Sequence, residues 1–226
     1  MLLLALDTSA AATVALLQDD VVVGRFSSAD TRSHAEVLAP AVQRILDEAG
    51  VAGTALDAVI AGVGPGPFTG LRAGLITART LAFVWGVPLH GVMSLDALAV
   101  EAAARGLLPN GSRFLVGTDA RRGEVYWAAY RAPFESSGLP ELLDGPHVGA
   151  AAALPRSVPL VGRAASLYPD DVDGVPALAT ADPDAASLGR VARLRLLAGE
   201  ELLDTSPLYL RESDAKVPGP RKRATA

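Results

Sequence analysis

The stretch Gly62-Val63-Gly64-Pro65-Gly66-Pro67-Phe68-Thr69-Gly70-Leu71-Arg72 constrains this chain more than any other. Before it, Leu56 to Val63 is an apolar run with the length and β-branched content of a buried strand. After it, Gly70 to Trp85 has helical periodicity. The block is therefore a strand-to-helix turn. Pro65 and Pro67 fix φ and remove two N–H donors. The glycines permit positive φ and close backbone approach, and Thr69 is expected to cap the helix.

A glycine-rich loop at a helix N-terminus raises the question of phosphate binding. A Walker A loop needs a Lys after its last Gly, and Leu71 follows Gly70. A dinucleotide fingerprint needs a third Gly at position 67, which is Pro. The remaining reading is a rigid turn that sets a helix. In that helix Leu71, Leu75, Ala78, Leu81, Ala82 and Trp85 form one apolar stripe for the core. Ile76 and Phe83 lie on another face, beside Ala73, Thr80, Arg72 and Arg79. A helix apolar on two sides is buried on two sides, within one chain or against a second.

The rest of the chain reads in order as follows. Leu2–Leu6, Thr13–Leu17 and Val21–Phe26 are strands joined by short turns, hence antiparallel neighbours. His34 to Gly50 is a helix with core stripe Val37, Leu38, Ala41, Val42, Ile45 and Leu46. Ser33 and Glu36 are placed for a capping box, and Gly50 for the stop. Pro88–Met93 is a strand and Ser94–Arg105 a helix. The order β-β-β-α-β-α-β-α is a ribonuclease-H-like half, a mixed sheet with helices on its faces.

Leu107 to Ser112 reads as a linker. Then Phe114–Gly117, Thr118-Asp119 and Val125–Tyr130 echo the opening strand, its Asp7-Thr8 turn and the next strand. The expected fold is α/β, an actin-like ATPase or ribonuclease-H-like architecture of two tandem βββαβα halves, the second reduced. The halves span residues 1–106 and 113–215. In the second, 132–159 reads as loop, Val158–Gly162 as a strand, and Pro183–Gly199 as a helix with Asp182 as N-cap and Pro183 at N1.

Composition removes several chemistries. With no cysteine there is no disulfide and no thiolate nucleophile. Lys216 and Lys222 are the only lysines, both in a basic tail, 216–226, expected to be disordered. None of His34, His90 and His147 has a second His four residues away, so no paired zinc pattern exists. The net charge of −5 argues against nucleic-acid binding by the chain alone. The apolar start lacks a basic region and is interrupted by Asp7, so a cytoplasmic protein without a signal peptide is expected. In the actin-like superfamily, acidic turns after the first strand of each half face nucleotide phosphates, often through a metal. Asp7, Thr8, Ser9 and Asp119 are the candidates for such a site here; they also suit plain turns and caps.

Ala5-Leu6-Asp7-Thr8-Ser9, Ser33-His34-Ala35-Glu36 with Leu38 and Pro40, and Gly64 through Gly74 together resemble the TsaB (YeaZ) family. Pro207-Leu208-Tyr209-Leu210-Arg211 with Asp214-Ala215 resembles its C-terminal end. Pro67 stands where the family typically has Ser. The resemblance implies a non-catalytic dimerisation subunit that binds and orients TsaD, the catalytic subunit forming N6-threonylcarbamoyladenosine at tRNA position 37. TsaD's metal-binding His pair falls at Ser94 and Leu98 here, so that site is not built. The implied interface uses the two helices at 34–50 and 70–85, with Glu36, Pro40, Gln43, Phe68, Arg72, Ile76, Arg79 and Phe83 as contacts. The resemblance also implies a homodimer when alone, TsaE in the larger assembly, tRNA met only through the complex, no membrane, and no cofactor except ATP or ADP with Mg at the partner interface. The competing reading is an ATPase or phosphotransferase using Asp7 and Asp119.

Overall fold

The computed structural model describes residues 1–28, 34–134 and 138–211. The first half contains β1 (Leu2–Asp7), β2 (Thr13–Gln18), β3 (Val21–Ser27), α1 (His34–Ala49), β4 (Ala58–Gly62), α2 (Phe68–Trp85), β5 (Leu89–Val92) and α3 (Ser94–Ala104). Its sheet has the order β3-β2-β1-β4-β5. β2 pairs antiparallel with both β1 and β3, and β4 runs parallel with β1 and β5. This is the ribonuclease-H-like topology.

β1 is central and buried on both faces, which is why its sequence shows no alternation. Leu4 and Leu6 pack under α1 and α2, while Leu3 and Ala5 meet α3 and the last helix. β3 at the edge alternates exposed and half-buried residues. In α1 the stripe Leu38, Ala41, Val42, Ile45 and Leu46 is buried as its spacing predicts. Full burial of a side chain such as Leu38 or Ile45 contributes on the order of 1.5–3 kcal/mol.

The second half contains β6 (Arg113–Arg121), β7 (Glu124–Arg131), β8 (Glu141–Ala150), β9 (Leu160–Val161), α4 (Ala164–Leu167) and α5 (Ala185–Leu197). Its order β8-β7-β6-β9 repeats the first four positions of the first sheet, with β6–β7 and β7–β8 antiparallel and β6–β9 parallel. The fold is thus the actin-like duplication with a reduced second half. The segment between β8 and β9, where the first half has α1, holds only a short 3-10 turn, Ala151–Ala153.

Several local expectations need correction. The stretch 132–159, read as loop, contains the ten-residue β8, whose residues are exposed or half-buried and so carry no apolar signature. Thr118 and Asp119 are not in a turn. β6 continues to Arg121, and the turn falls at Arg121, Arg122 and Gly123, all with positive φ. α2 begins at Phe68 with Pro67 as N-cap and no side-chain cap, so Thr69 does not cap it. The cap of α5 is Asp184, whose carboxylate accepts from Ala186 N, rather than Asp182. The strand read as 56–63 spans Ala58–Gly62 and follows a 3-10 turn at Gly53–Ala55. Ser33 and the basic tail lie outside the described residues.

Several contacts tie the halves, among them a buried carboxylate cluster and the segment 203–211. The buried carboxylate of Asp96 in α3 accepts from Tyr130 Oη of β7 at 2.7 Å and from Arg195 Nη2 of α5 at 2.8 Å. Burial raises the Asp96 pKa, and Arg195 acts against that rise. Burial, then Asp96, hold the Tyr130 phenol well above its usual range, so it stays a neutral donor. The second connection is the segment 203–211. Leu203 bridges to Gly91 of β5, Leu208 N donates to Val63 O, and Arg211 reaches Ala120 O and Glu124. Among the described residues no helix is long and apolar enough to cross a membrane.

Tyr130→Phe removes one donor from the buried Asp96 carboxylate. We expect a loss of about 1–3 kcal/mol in urea unfolding. An unchanged midpoint would show that this bond does not hold the halves together.

Candidate functional site

The Gly/Pro block and the Asp7 turn form one unit. Asp7 Oδ1 accepts from Ser9 N at 2.8 Å and Ser9 Oγ at 2.6 Å, and Oδ2 accepts from Ser94 Oγ at 2.5 Å. Ser94 Oγ in turn accepts from Gly64 N at 3.1 Å. Thr8 Oγ1 donates to Gly70 O at 2.8 Å. Asp7, Thr8, Ser9 and Ser94 are all buried. The glycines are required by this closeness. A Cβ on Gly62 would stand 1.9 Å from Asp7 Oδ2, and Gly64 has φ +96°.

Burial pushes the Asp7 carboxyl up to about 6, against the lowering effect of its Ser9 and Ser94 bonds. Both its oxygens are engaged by protein donors. Asp119 accepts from Arg121 N at 2.7 Å and pairs with the Arg121 guanidinium at 3.4 Å. Asp7 and Asp119 share no hydrogen-bond partner among the described residues. Among those residues there is also no group of three or more His, Asp or Glu side chains placed to hold a metal.

The other side of the block opens into an exposed helix face. On α2, Phe68, Ile76 and Phe83 are exposed, Ile76 by 60% and Phe83 by 88%. Val84 adjoins them at 69% and was not among the sequence candidates. An apolar row of this kind, on a helix otherwise packed into the core, makes this face a candidate interaction surface. Arg72 and Arg79 are exposed on the same helix and are held in place by the 203–211 segment. The Arg72 guanidinium lies 3.8 Å from the Phe68 ring centroid and Nε donates to Tyr209 Oη at 3.1 Å. Tyr209 packs on Phe68 with ring centroids 4.8 Å apart. Arg79 donates to Thr205 Oγ1 and O at 3.0 and 2.8 Å.

On α1, which packs beside α2, Glu36, Pro40 and Gln43 are exposed. Their spacing puts them on one side of the helix. Gln43 donates to Asp47 at 2.8 Å. Tyr209 and Thr205 were also missed as site residues. Tyr209 lies in a recognisable segment, Pro207 to Arg211, but no local pattern joins it to a helix 137 residues earlier.

The raised pKa of Asp7 has a defined consequence. The unfolded value is near 3.8 and the folded value about 6. Between these the folded state keeps a proton that the unfolded state has released. Stability from this group is therefore full below about pH 4 and is lost as pH rises to about 6, by roughly 3 kcal/mol. In Asp7→Asn this fall should be absent when urea unfolding is compared at pH 4.5 and 7. The same fall in wild type and variant would contradict the assignment.

Comparison with known proteins agrees with this fold. Residues 25–138 match the family model described as TsaD, tRNA N6-adenosine threonylcarbamoyltransferase. An uncharacterized protein of Mycobacterium tuberculosis is 38% identical over 94% of this chain and 93% of its own length. The tRNA threonylcarbamoyladenosine biosynthesis protein TsaB of Escherichia coli is 41% identical over 58% of this chain and 55% of its own. The solved structure of YeaZ from Pseudomonas aeruginosa superposes with a TM-score of 0.77 at 31% identity, covering 92% of this chain and 99% of that one. With the motif at 64–74, the sheet order and these relatives in agreement, the chain belongs to the TsaB (YeaZ) family.

Proposed function

We propose that this chain is a non-catalytic subunit in the formation of tRNA threonylcarbamoyladenosine. It docks the threonylcarbamoyltransferase TsaD through α1 and α2, and pairs with a second copy of itself when TsaD is absent. The observation that carries this reading is the exposed apolar face of α2, with Ile76, Phe83 and Val84 in the open beside Phe68. The names of the Escherichia coli and Bacillus subtilis relatives supply the pathway. The family model's description supplies the partner's chemistry.

A docking role suits the physical state of these groups. Arg72 is stacked and hydrogen-bonded before any partner arrives, so little side-chain entropy remains to be lost on binding. Large apolar side chains such as Phe83 gain most from desolvation at the centre of an interface. The Asp7 turn, by contrast, is buried and bonded inward, which supports a structural role for it in this chain. The proposal assigns the chain no cofactor of its own, a cytoplasmic setting, TsaE in the larger assembly, and contact with tRNA only through that assembly.

Light scattering on a sizing column, with this chain and TsaD of the same organism, tests the proposal. We expect a one-to-one complex whose dissociation constant rises at least about 30-fold in Arg72→Glu and in Ile76→Asp, on the scale of interface hot spots. An unchanged constant in a folded Ile76→Asp variant would remove the α2 face from the interface. No complex at all would remove the scaffold role.

A further inference from the structure

A second feature lies away from the α2 face. The two halves leave a cleft of about 360 Å³ between β3 and α3 on one side and the segment leading into α5 on the other. This is the size of a small-ligand site. Its apolar lining is Val22, Ala97, Leu98, Leu178, Ala181 and Ala186. Six charged side chains also line it: Arg25, Arg105, Arg190, Glu101, Asp182 and Asp184.

The three arginines and three acids of the lining balance in number, but Arg163 from outside the lining takes one of the acids. Asp184 Oδ2 accepts from Arg25 at 3.2 Å, and its Oδ1 accepts from Ala186 N at 2.9 Å. Glu101 Oε1 accepts from Arg105 Nε at 2.6 Å, and its Oε2 accepts from Ser187 Oγ at 2.8 Å. Asp182 accepts from Arg163 Nε through both oxygens at 2.8 Å. Every acid in the cleft thus has a cation already. Arg190, half-buried on α5, makes no ion pair or hydrogen bond with the described residues. One guanidinium is left without an anion, beside an apolar wall.

We infer that this cleft binds a small organic anion, with a carboxylate or phosphate head on Arg190 and an apolar body against Ala97, Leu98, Leu178 and Ala181. The guanidinium fork suits either head in two-point contact. Arg25 and Arg105 can add to the grip. Their side chains are exposed by 66% and 53%, and ion pairs that exposed are worth at most about 1 kcal/mol, so either can turn to the ligand. The cleft draws on both halves of the chain, so an occupant bridges α3 and α5. None of the α1 and α2 contact residues lines it, and the inference does not depend on the docking role.

The test is calorimetric titration of the full-length chain with two probes, benzoate for the carboxylate head and phenyl phosphate for the phosphate head. Inorganic phosphate controls for the apolar body. Saturable binding of at least one aromatic probe is expected, tighter than inorganic phosphate and weakened about tenfold or more in R190Q. The preferred head assigns the ligand class. A181L, which fills the apolar side and leaves Arg190 in place, should weaken the same probe. It also serves if R190Q fails to fold, which thermal unfolding reports. No saturable binding of either probe, or undiminished binding in the folded variants, overturns the inference.

Discussion

The Asp7 carboxylate is the joint on which the first half is assembled. It receives the hydroxyl of Ser94, the first residue of α3, and both the amide and hydroxyl of Ser9. Through Ser94 it also fixes Gly64 within the Gly/Pro block. The end of β1, the start of α3 and the lead into α2 are thus held within one buried cluster. Removing any partner would leave a polar group without water, which costs more than the bond contributes when made. The need for glycine at 62 follows, since any Cβ would occupy the carboxylate's place.

This joint gives the block two unlike sides. Inward, it closes over a polar turn that in the wider superfamily would face phosphate. Outward, it launches α2 with Phe68 at its first position and an apolar row along its free face. The 203–211 segment completes that outer side by bringing Tyr209 against Phe68 and Arg72. The same segment grips the β6–β7 turn through Arg211, so the exposed α2 face and the second half are mechanically linked.

Much of this was legible in the residues. The three opening strands follow from apolar runs and short turns, and the buried stripe of α1 and the second apolar face of α2 from helical periodicity, because each signal lies within one element. The motif at 64–74 carried the family. What was not legible depends on residues distant in sequence or on weakly patterned edges. β8 has no buried side and holds Gly145 and Pro146, so it reads as loop. Arg121 and Arg122 adopt positive φ, which their side chains do not announce, and this moved the expected acidic turn into a strand. Asp182 and Asp184 flank Pro183 with equal capping chemistry, and only the backbone path picks the second. Tyr209 belongs to the α2 face through a contact that no spacing rule reaches.

The central claim is that the exposed face of α2 is where this chain meets its partner. Hydrogen–deuterium exchange of the chain with and without TsaD tests it most directly. The account predicts slowed exchange over 68–84 and over the exposed side of α1, with the 203–211 segment following. Complex formation with protection elsewhere, and none on α2, would contradict it.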